Sequence, residues 1–164
     1  MEPRPPDQMP PNAWAGPVEP VGPAPGVAYG GAGERLLAYI IDGLLVFVAN
    51  IVLFLLAGVL VIVALPVGVL ALILVVLAVF VVDIAYFPYF WKTRGQTPGM
   101  RQFQLYVVRD RDGGPISSGQ AVMRLIGYWI DGVVFYLGFI WILIDSRKRG
   151  WHDLIAGTVV IKRI

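Results

Sequence analysis

Two arginines and three aspartates interrupt long apolar runs, and their spacing suggests chemistry. Arg35 to Gly43 reads R-L-L-A-Y-I-I-D-G, and Arg124 to Gly132 nearly repeats it as R-L-I-G-Y-W-I-D-G. Seven residues make about two helical turns, so Arg35 and Asp42 share a helix face roughly 10 Å apart along the axis, as do Arg124 and Asp131. Asp83 lies eight residues before Trp91, on a segment expected to run the other way. Counting about 1.5 Å per residue puts Asp42, Asp83 and Asp131 roughly 10–13 Å inside the same membrane face. Carboxylates at that depth are costly and face a protein interior or a water-filled cavity. Three together repel, so one would hold a proton or a cation. That is the physics of a proton or cation site. In the alternative, Arg35 and Arg124 neutralise the aspartates, and the five residues are clamps that fix helix packing.

The elements that position these residues are membrane spans. The chain has 164 residues, 57% hydrophobic and 15% charged, with mean hydropathy +0.72. Soluble domains carry about 25% charged residues. From Leu36 to Trp91 the only charges are Asp42 and Asp83. About 20 apolar residues cross a bilayer, and this run is far longer. As one helix it would exceed ~75 Å against a core of ~30 Å, so two antiparallel spans, 36–62 and 67–91, turn at Pro66. Aromatics before Lys92 form an interfacial belt.

The third hydrophobic segment, 125–144, has the length of one span. Basic residues flank both ends, however: Lys92, Arg94, Arg101, Arg109, Arg111 and Arg124 before it, then Arg147, Lys148, Arg149, Lys162 and Arg163. The positive-inside rule draws both flanks to the cytoplasm, which a re-entrant pair of half-helices satisfies and a full span does not. Both alternatives stand. The expected fold is an all-α membrane protein, an antiparallel transmembrane hairpin plus this third segment, with short β-pairing of 103–108 and 158–163. Residues 92–124 form a polar loop and 145–164 a C-terminal tail. Ser117 or Ser118 caps the helix leading to Arg124.

Residues 1–32 hold nine of the thirteen prolines. Such a segment buries too little apolar surface to offset its ordering entropy, so a disordered tail is expected there. Its P-P pairs suit an aromatic-lined groove on a partner, but a solvated tether is the plainer reading. No cleaved signal peptide is visible. The pI of about 9.0 reflects basic loops beside the spans, which suit anionic lipid and not nucleic acid. With no cysteine there is no disulfide, thiol chemistry or Cys-based metal site. His152, the one histidine, is expected to structure a loop or sit at the interface. Asn50 is expected to bond a neighbouring helix, and Tyr39 and Tyr128 to pack. No nucleophile or metal constellation points to an enzyme, and no cofactor is implied.

These residues resemble the RDD family of bacterial membrane proteins, from Gly33 to Ile164. Arg35 matches the family's arginine and Asp42 its first aspartate; the second is assigned to Asp83. Gly95–Gly99 (G-Q-T-P-G), Asp112-Gly113, Arg124 and Trp151–Val160 (W-H-D-L-I-A-G-T-V-V) complete the pattern. Met100 departs from it, since the family often has a basic residue there. The resemblance implies a small polytopic inner-membrane protein; the basic flanks predict the tail and the 92–124 loop to be cytoplasmic. It suggests transport of an unknown ligand, with cation/proton exchange attributed to some members. Too few spans for a pathway within one protomer imply a homo-oligomer.

Overall fold

The computed structural model describes residues 23–24 and 26–164. Most of the Pro-rich tail therefore lies outside the described residues. Two long helices dominate: α1 (Ala32–Val63) and α2 (Val67–Arg94). At 32 and 28 residues they are roughly 48 and 42 Å long, enough to cross a bilayer and extend past it. Pro66 stands at the turn between them, at the N-cap of α2. Leu44, Phe47, Leu55, Ile62, Leu74 and Phe80 are exposed along this hairpin, as expected where lipid is the solvent.

The third segment is broken. Helix α4 (Ser118–Val133) and helix α5 (Leu137–Ile144) meet at 104°. Phe135 and Tyr136 interrupt the helix in the left-handed region, at φ +53° and +58°. Both ends of the pair lie at one end of the molecule. After α5, Arg147 and Arg149 bind Asp110, which precedes α4, at 3.1 and 3.0 Å. Of the two alternatives, this is the re-entrant geometry. A single straight span over 125–144 is excluded by the bend.

The loop and the tail are more ordered than their composition suggests. Helix α3 (Pro98–Gln102) leads to strand β2 (Leu105–Arg109), and helix α6 (Trp151–Ala156) leads to β3 (Thr158–Arg163). β2 and β3 pair antiparallel with Val107 opposite Val160, close to the expected 103–108 and 158–163. The 1–32 boundary needs correction. Val27–Tyr29 forms strand β1 on the other edge of β3, and α1 already starts at Ala32. The V-A-Y stretch has no proline, so it can donate to the edge that β3 leaves open.

The order helix, helix, short helix, strand occurs twice: α1-α2-α3-β2, then α4-α5-α6-β3. The core sits at the polar end, where Ala38, Trp91, Met100, Leu105, Ile116 and Val160 are buried together. Met100 thus fills a core position. The chain lacks cysteine, so single cysteines at exposed Ser118 and Ser146 can be labelled specifically. We expect an impermeant maleimide to reach both from the same side of the membrane. Labelling from opposite sides would refute the re-entrant path.

Candidate functional site

The cluster of buried charge is centred on Asp153, a residue of α6. Its Oδ2 accepts from Arg35 Nη1 at 2.6 Å and from the Gly150 N–H at 3.0 Å. Its Oδ1 accepts from Arg124 Nη1. Arg124 Nη1 also donates to the Thr158 hydroxyl at 2.5 Å, and its guanidinium stacks 4.7 Å from the Trp91 ring centroid. Asp153 and both arginine side chains are buried. Burial alone would raise the Asp153 carboxyl. The Arg124 and Arg35 guanidiniums, then His152 and the Gly150 N–H, outweigh it and hold the group well below the usual carboxylate range.

This differs from the expected pairing along each helix. Arg35 does not clamp Asp42, nor Arg124 Asp131. A separation of two turns exceeds the reach of an ion pair within one helix. Both arginines instead reach across to α6, which the sequence reading took for a loop or an interfacial segment.

Each aspartate of the near-repeat instead serves the short helix beside it. Asp42, buried on α1, accepts from Tyr86 Oη at 3.0 Å, from the Gly99 N–H at 2.8 Å and from the Thr97 hydroxyl. This explains the G-Q-T-P-G motif. Thr97 caps α3 by accepting from the Met100 N–H at 3.2 Å, and Pro98 occupies the first turn. Gly99 must lack a side chain, because a Cβ there would collide with the Ala38 carbonyl and the Asp42 carboxylate. Asp131, buried on α4, accepts at Oδ2 from His152 Nδ1 at 2.7 Å. Gly127 lets α6 approach: a Cβ would stand 2.5 Å from the His152 Cα.

Burial lowers the His152 pKa. The Asp153 charge and the Asp131 hydrogen bond oppose that shift without reversing it. The imidazole is therefore neutral, with its proton on Nδ1. Tyr128 stacks on it at 4.3 Å, and Tyr39 stacks on Tyr128 at 5.9 Å. The tyrosines matched in the repeat thus meet each other.

Asp83 lies apart. It is exposed on α2 and accepts from Asn50 Nδ2 at 3.2 and 3.3 Å. It also lines a cleft of about 450 Å³ with Tyr39, Phe87, Tyr128 and Tyr136. The three aspartates have three separate partner sets.

Between Arg35, Asp42, Trp91, Arg124 and Tyr128 is a cavity of about 20 Å³, room for about one water. Arg35 Nε, Arg124 Nε and Trp91 Nε1, all buried, are N–H donors with no protein acceptor. Among the described residues no group of His, Asp and Glu is arranged to hold a metal ion. Asp153 and His152 were the missed site residues. Their signal was the W-H-D triplet, whose partners lie more than twenty residues away in sequence.

A family model described as the RDD family matches residues 29–157. The chain belongs to the RDD family, whose members are bacterial membrane proteins. "Uncharacterized protein YxaI" of Bacillus subtilis (strain 168) is 32% identical, over 77% of this chain and 93% of that protein. "Proline-rich antigen homolog" of Mycobacterium tuberculosis (strain H37Rv) is 30% identical over 42% of this chain and 29% of its own length. "Uncharacterized protein RP437" of Rickettsia prowazekii (strain Madrid E) is 33% identical over 48% and 43%. The match thus spans less than half of the mycobacterial and rickettsial relatives. No solved structure matches the chain.

Removing one partner of a buried ion pair typically costs ~3–5 kcal/mol. Asp153→Asn should therefore lower the thermal stability of the detergent-solubilised protein severely, while Asp83→Asn should change it by less than ~1 kcal/mol. Similar melting losses in both would contradict a cluster centred on Asp153. A second expectation concerns pH. The folded pKa of His152 lies below its ordinary 6.5, so its contribution is complete above pH 6.5. It is lost as pH falls toward the folded value, because the unfolded chain takes up the proton first. Stability should decline by at most ~1.4 kcal/mol per pH unit below 6.5. Melting curves of His152→Gln should lack that component.

Proposed function

We propose that this RDD-family protein is a membrane scaffold that assembles with copies of itself, its buried Arg–Asp cluster being structural and not a transport site. The observation that carries this reading is the state of Asp153 and Asp42, two of the three buried aspartates of the cluster; the third, Asp131, binds His152 through Oδ2 and keeps Oδ1 without a partner among the described residues. Asp153 is occupied by Arg35, Arg124 and the Gly150 N–H, and Asp42 by Tyr86, Thr97 and Gly99. The adjoining space is about 20 Å³, and the unpaired atoms of Arg35, Arg124 and Trp91 are N–H donors. Donors of that kind repel a cation. No enzymatic step belongs to this reading.

Self-assembly is supported by Asp83 and Asn50. They form an exposed polar pair on the hairpin, Asp83 in a cleft beside Tyr128 and Trp129, where a carboxylate is costly unless protein or water meets it. A neighbouring copy can supply that partner, and hydrogen bonds between membrane helices contribute about 0.6 kcal/mol each. For orientation, all the lysines and arginines from Arg35 onward lie outside the apolar stretch 36–91, and the far turn at Pro66 has none nearby. By the positive-inside rule this supports a polar end that faces the cytoplasm.

The exposure of Asp83 also favours a second reading, a proton or cation site completed between copies. One experiment separates the two. Proton and sodium flux in proteoliposomes, and oligomer mass in detergent, are measured for wild type and Asp83→Asn. The scaffold reading expects no flux above empty liposomes, an oligomeric wild type, and a smaller species for Asp83→Asn. Wild-type flux that Asp83→Asn abolishes with the oligomer intact would establish the transport reading instead.

A further inference from the structure

Where α2 ends, a second cleft opens on the other side of the Thr97–Gly99 turn. It has a volume of about 390 Å³ and is lined by Phe90, Arg94, Gln96, Arg101, Gln102 and Tyr106. Its arginines set it apart from the remaining polar surface. Arg109, Arg147 and Arg149 all pair with aspartates, and Lys162 with Glu34. Arg94 and Arg101 have no acidic partner among the described residues. Arg94 is held over the Phe90 ring, its Cζ 5.4 Å from the centroid. Tyr106, which lines the cleft, carries the Arg163 guanidinium of β3 over its ring at 4.5 Å from the centroid. Two guanidiniums thus line one cleft, that of Arg94 fixed by an aromatic ring.

A planar guanidinium matches the oxygens of a phosphate in a bidentate fork. Like-charged arginines gathered without a carboxylate call for an anion. The depth of the cleft narrows the choice. Phe90 and Arg94 belong to the last turns of α2, just past the exposed Tyr89 and the lipid-facing Val81 and Val82. A ligand whose phosphate reached the arginines could lay an apolar chain along that face. We propose that this cleft binds the phosphate of an anionic phospholipid headgroup. Thr97, which also lines it, donates to Asp42. Headgroup binding would therefore brace the turn that holds the buried cluster, and an occupied site stabilises the fold by mass action.

The test uses the full chain in phosphatidylcholine nanodiscs, with and without phosphatidylglycerol. Arg94→Gln/Arg101→Gln is compared with Arg111→Gln/Lys148→Gln, which removes the same charge from positions that do not line the cleft. Wild type and the Arg111/Lys148 variant should gain at least ~3 °C in Tm with phosphatidylglycerol, and the Arg94/Arg101 variant should lose most of that gain. Native mass spectrometry should find one fewer retained anionic lipid on the Arg94/Arg101 variant, a readout independent of its baseline stability. Three results would overturn the proposal: no gain in wild type, equal loss in both variants, or an equal gain from inorganic phosphate in phosphatidylcholine alone. The last would assign the site to free phosphate.

Discussion

One carboxylate shared by two arginines holds the polar end together. Asp153 draws Arg35 from the first membrane helix and Arg124 from the re-entrant segment onto one short helix. Leaving either guanidinium buried without its counter-charge would cost far more than the net worth of the pair. The three elements must therefore dock together. The geometry of this contact fixes where the hairpin enters the membrane relative to the broken helix pair.

The near-repeat is the source of that convergence. Each copy contributes an arginine to the shared centre and an aspartate to its own neighbour. Asp42 binds the start of α3, and Asp131 binds His152 of α6. Each short helix is followed by a strand, and the two strands pair antiparallel. The halves are unequal. In the first, the second helix is 28 residues long, and in the second it is 8. One half can cross the bilayer while the other can only dip into it. A stack of Tyr39, Tyr128 and His152 joins the halves between these polar contacts.

Much of this was legible in the sequence. Hydropathy alone demanded two antiparallel spans, because no single helix of that length fits a membrane. Charge flanking both ends of the third segment raised the re-entrant path, and alternation marked β2 and β3. The near-repeat singled out Arg35, Asp42, Arg124 and Asp131, all of them buried in polar contacts. The pairing was not legible. Asp153 looked like a polar residue in a basic tail, and β1 followed a run rich in proline.

Composition and periodicity determine which segments must leave water and which residues are too polar to do so unaccompanied. Those are local properties, and the chain carries them wherever it goes. The partner of a buried charge is not local. Arg35 and Asp153 lie 118 residues apart, and nothing in either neighbourhood specifies the other. Only docking α6 against α1 and α4 could decide that two arginines share one aspartate while Asp83 pairs with Asn50 outside that cluster. Ion pairing at that range depends on distances of a few ångströms, which tertiary packing sets.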